Sequence, residues 1–476
     1  MTGKPHLTLV SVGCCSRACV CLDRRSETQI FVDPAAFPIT YLVAGALPHY
    51  HWGMPPGPIL IFDKSFLQSL NVDEAVWLDN FFLTAITPLF FVETLADLEK
   101  EVHGGRTPEQ VVGGLAQKTP DLQSHMATHH GTLLWAELNG QKIPMDGRIP
   151  RAGGQLVELD GKQGVIYEMS KEEEAFDRWQ RGQFLDLERQ IAKVWRRNVT
   201  NIDHSANYAL FKEFYGSFRK PRTLADAKRI ADTLIDLMDE EKAIRFGLAL
   251  LGVPIDFHDD VIGRWVAGGK RPIGEFAPYF RHMFSVDFFF QLAIAADLIS
   301  RVRPAGKADN KVDIAYLYYL PFCMVFVSSD KLHDRVVPLF LRDDQSFVRG
   351  QELKADLKRI DEHYAQLPPE LTSQGVYKFA TSPPDGVAQL VTQLWDEHLL
   401  PTWREKKDQS KEKTPEDDAA VIEMIDRAQK ESTPVDVDLD HPPDIDDFEF
   451  AHVSRLVIPK KGTWIRINPT EATTAD

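Results

Sequence analysis

Short apolar runs that stop at an acid recur along this chain. Ile59-Leu-Ile-Phe62 runs straight into Asp63, and Lys64-Ser-Phe-Leu67 continues with the spacing of a helix. Four apolar residues without alternation suit a strand buried on both faces, as in a parallel sheet. Asp63 then stands at the carboxyl end of that strand, the edge where open α/β sheets take their ligands. Ile86-Thr-Pro-Leu-Phe-Phe-Val92 reads as a second β-like run, ending at Glu93, with helix following over 94–100. Phe322-Cys-Met-Val-Phe-Val327 is a third, ending in Ser328-Ser-Asp330. Just before it, Asp313-Ile-Ala-Tyr-Leu-Tyr-Tyr-Leu320 reads as a helix with an acid in its first turn.

These runs bring four acids to strand ends or helix starts. An aspartate after a strand also serves as a turn former or N-cap, and a first-turn glutamate suits the helix dipole. Four carboxylates brought together without a cation repel: two unit charges about 4 Å apart cost roughly 4 kcal/mol at an effective dielectric of 20. On that reasoning the empty cluster is destabilising, and Asp63→Asn should not lower stability when no metal is bound. Hard divalent ions take oxygen ligands and would relieve the repulsion. Asp97, four residues after Glu93, is a substitute ligand on the same helix face.

The order of these acids resembles the PIN-like nuclease family. The matching features are the apolar strand ending in Asp63, Glu93 after the second run, Asp313 followed by Ile-Ala, and Asp330 in Ser-Ser-Asp after the last run. The resemblance covers about 57–104 and about 275–360, with about 220 residues separating Glu93 from Asp313. It implies a three-layer α/β core with a central parallel sheet. It implies a metal-dependent endoribonuclease in which Asp63, Glu93, Asp313 and Asp330 are both catalytic residues and ligands of Mg²⁺ or Mn²⁺. Ser65 or Ser329 would orient a ligand or water. Such a nuclease would suit a toxin or defence effector.

On this reading the chain has five parts. Residues 1–57 form an N-terminal extension with a strand pair, 6–12 and Ala18–Leu22, before the Pro-rich approach 54–58. Residues 58–104 are the first half of the core, and 275–403 are the second half with C-terminal helices, including an apolar helix over 284–299. Residues 105–274 are a large, mostly helical insertion. It carries two hairpin signals, Asn139-Gly140 and Asp160-Gly161, and helices over 171–199, 208–218 and 224–251. Residues 404–476 are a charged flexible tail. Its acidic stretch 405–450 cannot bury enough apolar surface to order alone, so a stable fragment should end near Trp403. Its short apolar motif, 448–467, reads as a docking strand or recognition motif for a protein partner.

Composition narrows the functional classes. The 476 residues carry a net charge of −16, and residues 405–476, with 18 acids against 10 basic residues, hold half of that excess. An acidic average excludes indiscriminate coating of nucleic acid but permits a local basic groove. Basic residues cluster at Arg196, Arg197, Arg219 and Arg222, interleaved with Phe214, Tyr215 and Phe218. Basic side chains meet phosphates and aromatic rings stack on unpaired bases, so these arginines are the candidate contacts to RNA. Four of five cysteines crowd into residues 14–21, too close for a disulfide framework, which suits reduced thiols in the cytoplasm. No run of 18 apolar residues predicts a membrane span, so no membrane partner is expected. His125 and His129 stand at i, i+4 without the glutamate of a metalloprotease, and His258-Asp259 resembles a phosphohydrolase ligand pair. The competing class is a non-catalytic PIN-like scaffold that binds protein partners through insertion and tail.

Overall fold

The structure is a computed structural model. It describes residues 18–22, 28–32, 39–42, 57–102, 104–152, 154–188, 190, 220–299, 311–404, 427, 430–435, 450–453 and 458–467. The expected strand 6–12, the expected helix 208–218, most of 405–450, and Arg196, Arg197 and Arg219 lie outside these residues.

Five strands make the central sheet: β4 (Ile59–Phe62), β5 (Leu83–Ile86), β6 (Ser124–Met126), β10 (Val325–Ser328) and β11 (Ser346–Arg349). All neighbours are parallel, in the order β11-β10-β4-β5-β6. The apolar runs at Asp63 and Asp330 therefore do mark buried parallel strands. The middle run does not. Its strand is Leu83–Ile86, and Pro88 opens α3 (Pro88–Glu101). Proline's fixed φ suits the first helical position. Residues 88–92 are apolar because a buried helix has the same composition as a buried strand. Phe322 likewise ends a 3₁₀ segment, Tyr316–Phe322, and the strand begins at Val325.

Alternate strand residues feed two cores. Ile59, Ile61, Ala85 and Phe326 pack toward one face, Leu60, Phe62, Ile86 and Val327 toward the other. The first core is covered by α5 (His130–Leu138), α7 (Leu224–Leu237), α8 (Glu240–Leu250), α9 (His258–Ala267) and α10 (Pro278–Ala295). The second is covered by α1 (Lys64–Ser69), α2 (Val72–Phe81), α3, α4 (Pro108–Ala116), α6 (Lys171–Gln180), α12 (Gly350–Tyr364) and α13 (Gln389–His398). This is a three-layer α/β arrangement.

The expected insertion contributes to that core. β6 closes one side of the sheet, and α10 packs on α7. Only one of the two hairpin signals makes a hairpin. Asp160 and Gly161 both take positive φ, 54° and 75°, and join β8 (Gly154–Leu159) to β9 (Lys162–Tyr167). Asn139 instead caps the C-terminus of α5, and Gly140 follows at φ 100°. The long helix expected over 224–251 breaks where Asp239 caps α8. The helix expected over 171–199 is broken after Gln180; helical turns return at 186–188, and 191–199 lie outside the described residues.

At the N-terminus β1 (Ala18–Leu22) pairs with β2 (Thr28–Val32), and β3 (Ile39–Leu42) pairs with β7 (Ile149–Ala152). The C-terminal segment docks on its own chain. β12 (Thr433–Pro434) and β13 (Phe450–Val453) flank the β8–β9 hairpin, giving the sheet β12-β8-β9-β13. β14 (Lys460–Lys461) and β15 (Trp464–Ile465) form a small hairpin against α2. The Trp464 ring lies 4.7 Å from that of Trp77, and Trp464 Nε1 donates to Asp361 at 2.8 Å. Among the described residues, no helix is long and apolar enough to cross a membrane.

Candidate active site

The order β11-β10-β4-β5-β6 reverses direction between β4 and β10. From β4 the chain moves outward through β5 to β6; from β10 it moves to β11 on the other side. A crevice opens at the carboxyl ends of two such strands, and open α/β sheets bind ligands there. Asp63 ends β4 and Ser328 ends β10, so the switch point is flanked by these two residues.

Asp63 is 3 % exposed. Its Oδ1 accepts from Phe66 N at 2.9 Å, which caps α1. Its Oδ2 accepts from Ser65 Oγ at 2.7 Å and from Ser328 Oγ at 2.6 Å. His333 Nδ1 lies 3.4 Å from the same oxygen and 2.7 Å from Ser328 Oγ. The far side of that imidazole, Nε2, sits 2.8 Å from the Asp313 carbonyl oxygen. Burial acts to raise the Asp63 pKa, but hydrogen bonding and charge from His333, with the serine hydroxyls, hold it below the usual value. Burial likewise acts to lower His333, and Asp63 and Asp313 overcome it and raise the imidazole to about 9. The pair is ionised at neutral pH.

Glu93 is in the second turn of α3, and its Oε2 accepts from Tyr316 OH at 2.9 Å. Burial pushes its carboxyl up to about 8, against the nearby Lys64 cation and with Asp313 and Asp63 adding to the rise. Lys64, 2 % exposed, pairs with Asp97 and Glu101, each at 2.8 Å, and its Nζ lies 3.5 Å from the Glu93 carbonyl oxygen. Asp97 is therefore engaged by lysine rather than standing by as a ligand. Asp313, in the helical turn 311–315, acts electrostatically on both Glu93 and His333.

Three of the four expected acids thus share one electrostatic neighbourhood: Asp63, Glu93 and Asp313. Asp330 does not join them. Its carboxylate caps α11 (Lys331–Val336), accepting from Leu332 N and His333 N. Its backbone N–H donates to Ser328 Oγ at 2.9 Å. Ser65 touches Asp63, whereas Ser329 Oγ is buried without a hydrogen-bond partner.

Among the described residues, no three His, Cys, Asp or Glu side chains are disposed around a common point as metal ligands. The expected four-carboxylate shell is therefore not formed. The chemistry of the donors nevertheless fits a hard divalent ion. Among the described residues, Asp63, Glu93, Asp97, Glu101 and Asp313 share the cations Lys64 and His333. Oxygen ligands with surplus negative charge suit Mg²⁺ or Mn²⁺.

Of the expected RNA contacts, only Arg222 is described; it is exposed and just precedes the Thr223 cap of α7. The histidine group does not share one helix face. His125 is in β6, and His129 is the N-cap of α5. His258 Nε2 is 2.9 Å from the Val253 carbonyl oxygen, and Asp259 pairs with Arg245, so both have structural partners. Sequence reasoning missed His333, Ser328, Tyr316 and Lys64. His333, three residues after an Asp330 that caps its helix, was the accessible signal: it had to sit within one turn of the strand end.

No protein-family model matches the chain, and neither a curated protein nor a solved structure is significantly similar to it.

Proposed function

We propose that this protein is a PIN-like, metal-dependent endoribonuclease hydrolysing RNA phosphodiester bonds at the β4/β10 switch point. The observation that carries the reading is the convergence of Asp63, Glu93 and Asp313 beside that crevice, where burial first, and the charges of Asp313 and Asp63 after it, push Glu93 to a pKa of about 8. Carboxylates that raise one another's pKa at a ligand edge carry a cost, and a bound cation would remove it.

Asp63, Glu93 and Asp313 would hold Mg²⁺ or Mn²⁺ once their side chains turn to a common point, which they do not share as they stand. When bound, such an ion polarises a phosphoryl oxygen and acidifies a water. The protein's own residues do the rest. Ser65, Ser328 and His333 fix the orientation of the Asp63 carboxylate. Tyr316 fixes Glu93. Lys64, tied to Asp97 and Glu101, keeps a cation beside Glu93 and limits the repulsion when the site is empty.

A second reading has its own observation. Asp63 and Asp330 both cap helices, and the Asp63 carboxylate already has His333 as counter-ion. These acids would then serve folding alone, in a non-catalytic scaffold. Incubation of the full chain with single-stranded RNA separates the two. Cleavage is expected in Mg²⁺ or Mn²⁺, none in EDTA, and a loss of at least 100-fold in Glu93→Gln and Asp313→Asn (on the order of 2.7 kcal/mol of barrier). Undiminished cleavage in both variants, or none in the parent, favours the scaffold.

A further inference from the structure

One segment runs along the carboxyl edge of the sheet and links the acid site to a pair of histidines. The Asp313 carbonyl oxygen is 2.8 Å from His333 Nε2, beside β10. Tyr316 OH donates to Glu93 at 2.9 Å. Tyr319 OH accepts from His130 N at 2.9 Å and lies 3.3 Å from His130 Nδ1, just past β6. Side chains three apart eclipse one another in a 3₁₀ segment, so Tyr316 and Tyr319 form one row. That row leads from the acids toward a point two strands from β4, roughly 10 Å at the usual spacing.

At its end the His129 and His130 rings lie 4.1 Å apart, inclined by 30°. Both residues keep part of their surface exposed although their rings sit in densely packed surroundings. Neither ring can swing freely. His129 Nδ1 accepts from Gly131 N at 3.0 Å, and His130 is held by Tyr319, with the Tyr318 ring 5.1 Å away. Burial holds His129 at about 4, and burial with the His129 and Lys311 charges keeps His130 well below its ordinary value. Both rings are therefore neutral at physiological pH. They cannot act as phosphate-binding cations. Flat, neutral, immobilised rings at a ligand edge have a different use.

We propose that His129 and His130 form a stacking platform for an unpaired base of the RNA strand cut at Asp63. This rests on the nuclease reading for its substrate, and it adds the element that selects single strands. Unpaired bases stack on histidine as on other aromatic side chains, and a duplex offers none.

Binding in EDTA tests the platform apart from cleavage. The full chain is titrated into a fluorescently labelled single-stranded oligouridine and into an RNA duplex of equal length, with anisotropy as the readout. His130→Ala is expected to weaken single-strand binding about tenfold, the usual effect of removing one stacking ring. His130→Phe, which keeps a flat ring, is expected to bind within about twofold of the parent, and duplex binding should be unchanged in both. Melting curves establish that each variant is folded, and His129→Ala supplies a second variant with the same expectation. Equal binding by parent and His130→Ala, equal weakening by Ala and Phe, or no single-strand binding by the parent overturns the platform. A parent that shows the His130 pattern but cleaves nothing overturns the nuclease reading and keeps the platform. Metal-dependent cleavage without His130 dependence does the reverse.

Discussion

At the scale of single residues, Asp63 and Glu93 are both acids beside one crevice, yet they are opposite in character. Asp63 accepts from Phe66, Ser65 and Ser328 and faces a protonated His333. Glu93 has burial and two neighbouring carboxylates raising its pKa to about 8. The expectation that Asp63→Asn relieves repulsion therefore falls to Glu93. In EDTA at pH 7, Glu93→Gln should melt no lower than the parent. Asp63→Asn should lose on the order of 3 kcal/mol, because it strips the buried His333 cation of its partner. Denaturation curves of the three proteins measure this, and a stable Asp63→Asn would show that the pair contributes nothing. The pH dependence follows with its sign. His333 has a folded pKa above its unfolded value, so its stabilisation is complete below about 6.5 and is lost as pH rises through about 9. Glu93 is also raised, so its protonated form favours folding, and that stabilisation disappears as pH rises through about 8. Asp63 is depressed, so its contribution is present above about 3.8 and is lost on the acid side. Stability without metal should fall from about pH 4.5 to about pH 9, with Glu93 contributing between about 4.5 and 8 and His333 between about 6.5 and 9, each by about 1.4 kcal/mol per pH unit. Urea unfolding should show a shallower fall in Glu93→Gln, and identical slopes would remove Glu93 as a source.

At the scale of elements, what the residue pattern announced depended on local chemistry. Ile59–Phe62 was legible because four apolar residues stop at a capping aspartate. Asp160-Gly161 was legible because a two-residue turn between alternating strands demands positive φ at both positions. Asn139-Gly140 carries the same turn chemistry, but it follows nine helical residues and ends a helix instead. The run 86–92 failed for a similar reason: a buried helix and a buried strand are equally apolar, and only Pro88 marked the helix start. Close packing between elements adds a constraint that no pattern reveals. A Cβ built on Gly57, at the entry to β4, would lie 1.8 Å from the Phe81 carbonyl oxygen. Backbone at the end of α2 cannot step aside as a side chain can. Gly57→Ala should cost about 1–3 kcal/mol and drop the melting temperature by several degrees. An unchanged melting point would mean that β4 and α2 sit farther apart than described.

At the scale of the whole molecule, the C-terminal segment belongs to the fold. Arg466 is fully buried and ion-paired with Asp79 and Asp121. Asp79 in turn accepts the backbone N–H groups of Asp121, Leu122 and Gln123, the approach to β6. Lys461 donates to the Thr119 carbonyl oxygen at 2.7 Å. A chain cut after Trp403 would leave the buried Asp79 and the largely buried Asp121 without their cation, so the fragment expected to be stable should be poorly folded. Arg466→Ala in the full chain should lose about 3–5 kcal/mol, as broken buried pairs do. Thermal unfolding of this variant beside the truncated chain is the measurement. Parent-like melting in both would return the segment to the status of a loose tail.

The sequence by itself determined what rests on local pattern: two of the parallel strands, the acids at their carboxyl ends, the β8–β9 hairpin and the α/β class. Apolar runs, caps and turns are properties of a few consecutive residues, so they can be read without the fold. Tertiary structure alone decided which acids meet. Asp63, Glu93 and Asp313 are brought together by strand order across 250 residues, while Asp330, which looked equivalent, spends its carboxylate on its own helix. It decided that His333 balances Asp63, that β6 closes the sheet from within the expected insertion, and that Arg466 anchors the tail. The physical reason is the same in each case. The cost of a buried charge is set by the partner that meets it, and partners distant in sequence are chosen by packing rather than by neighbouring residues.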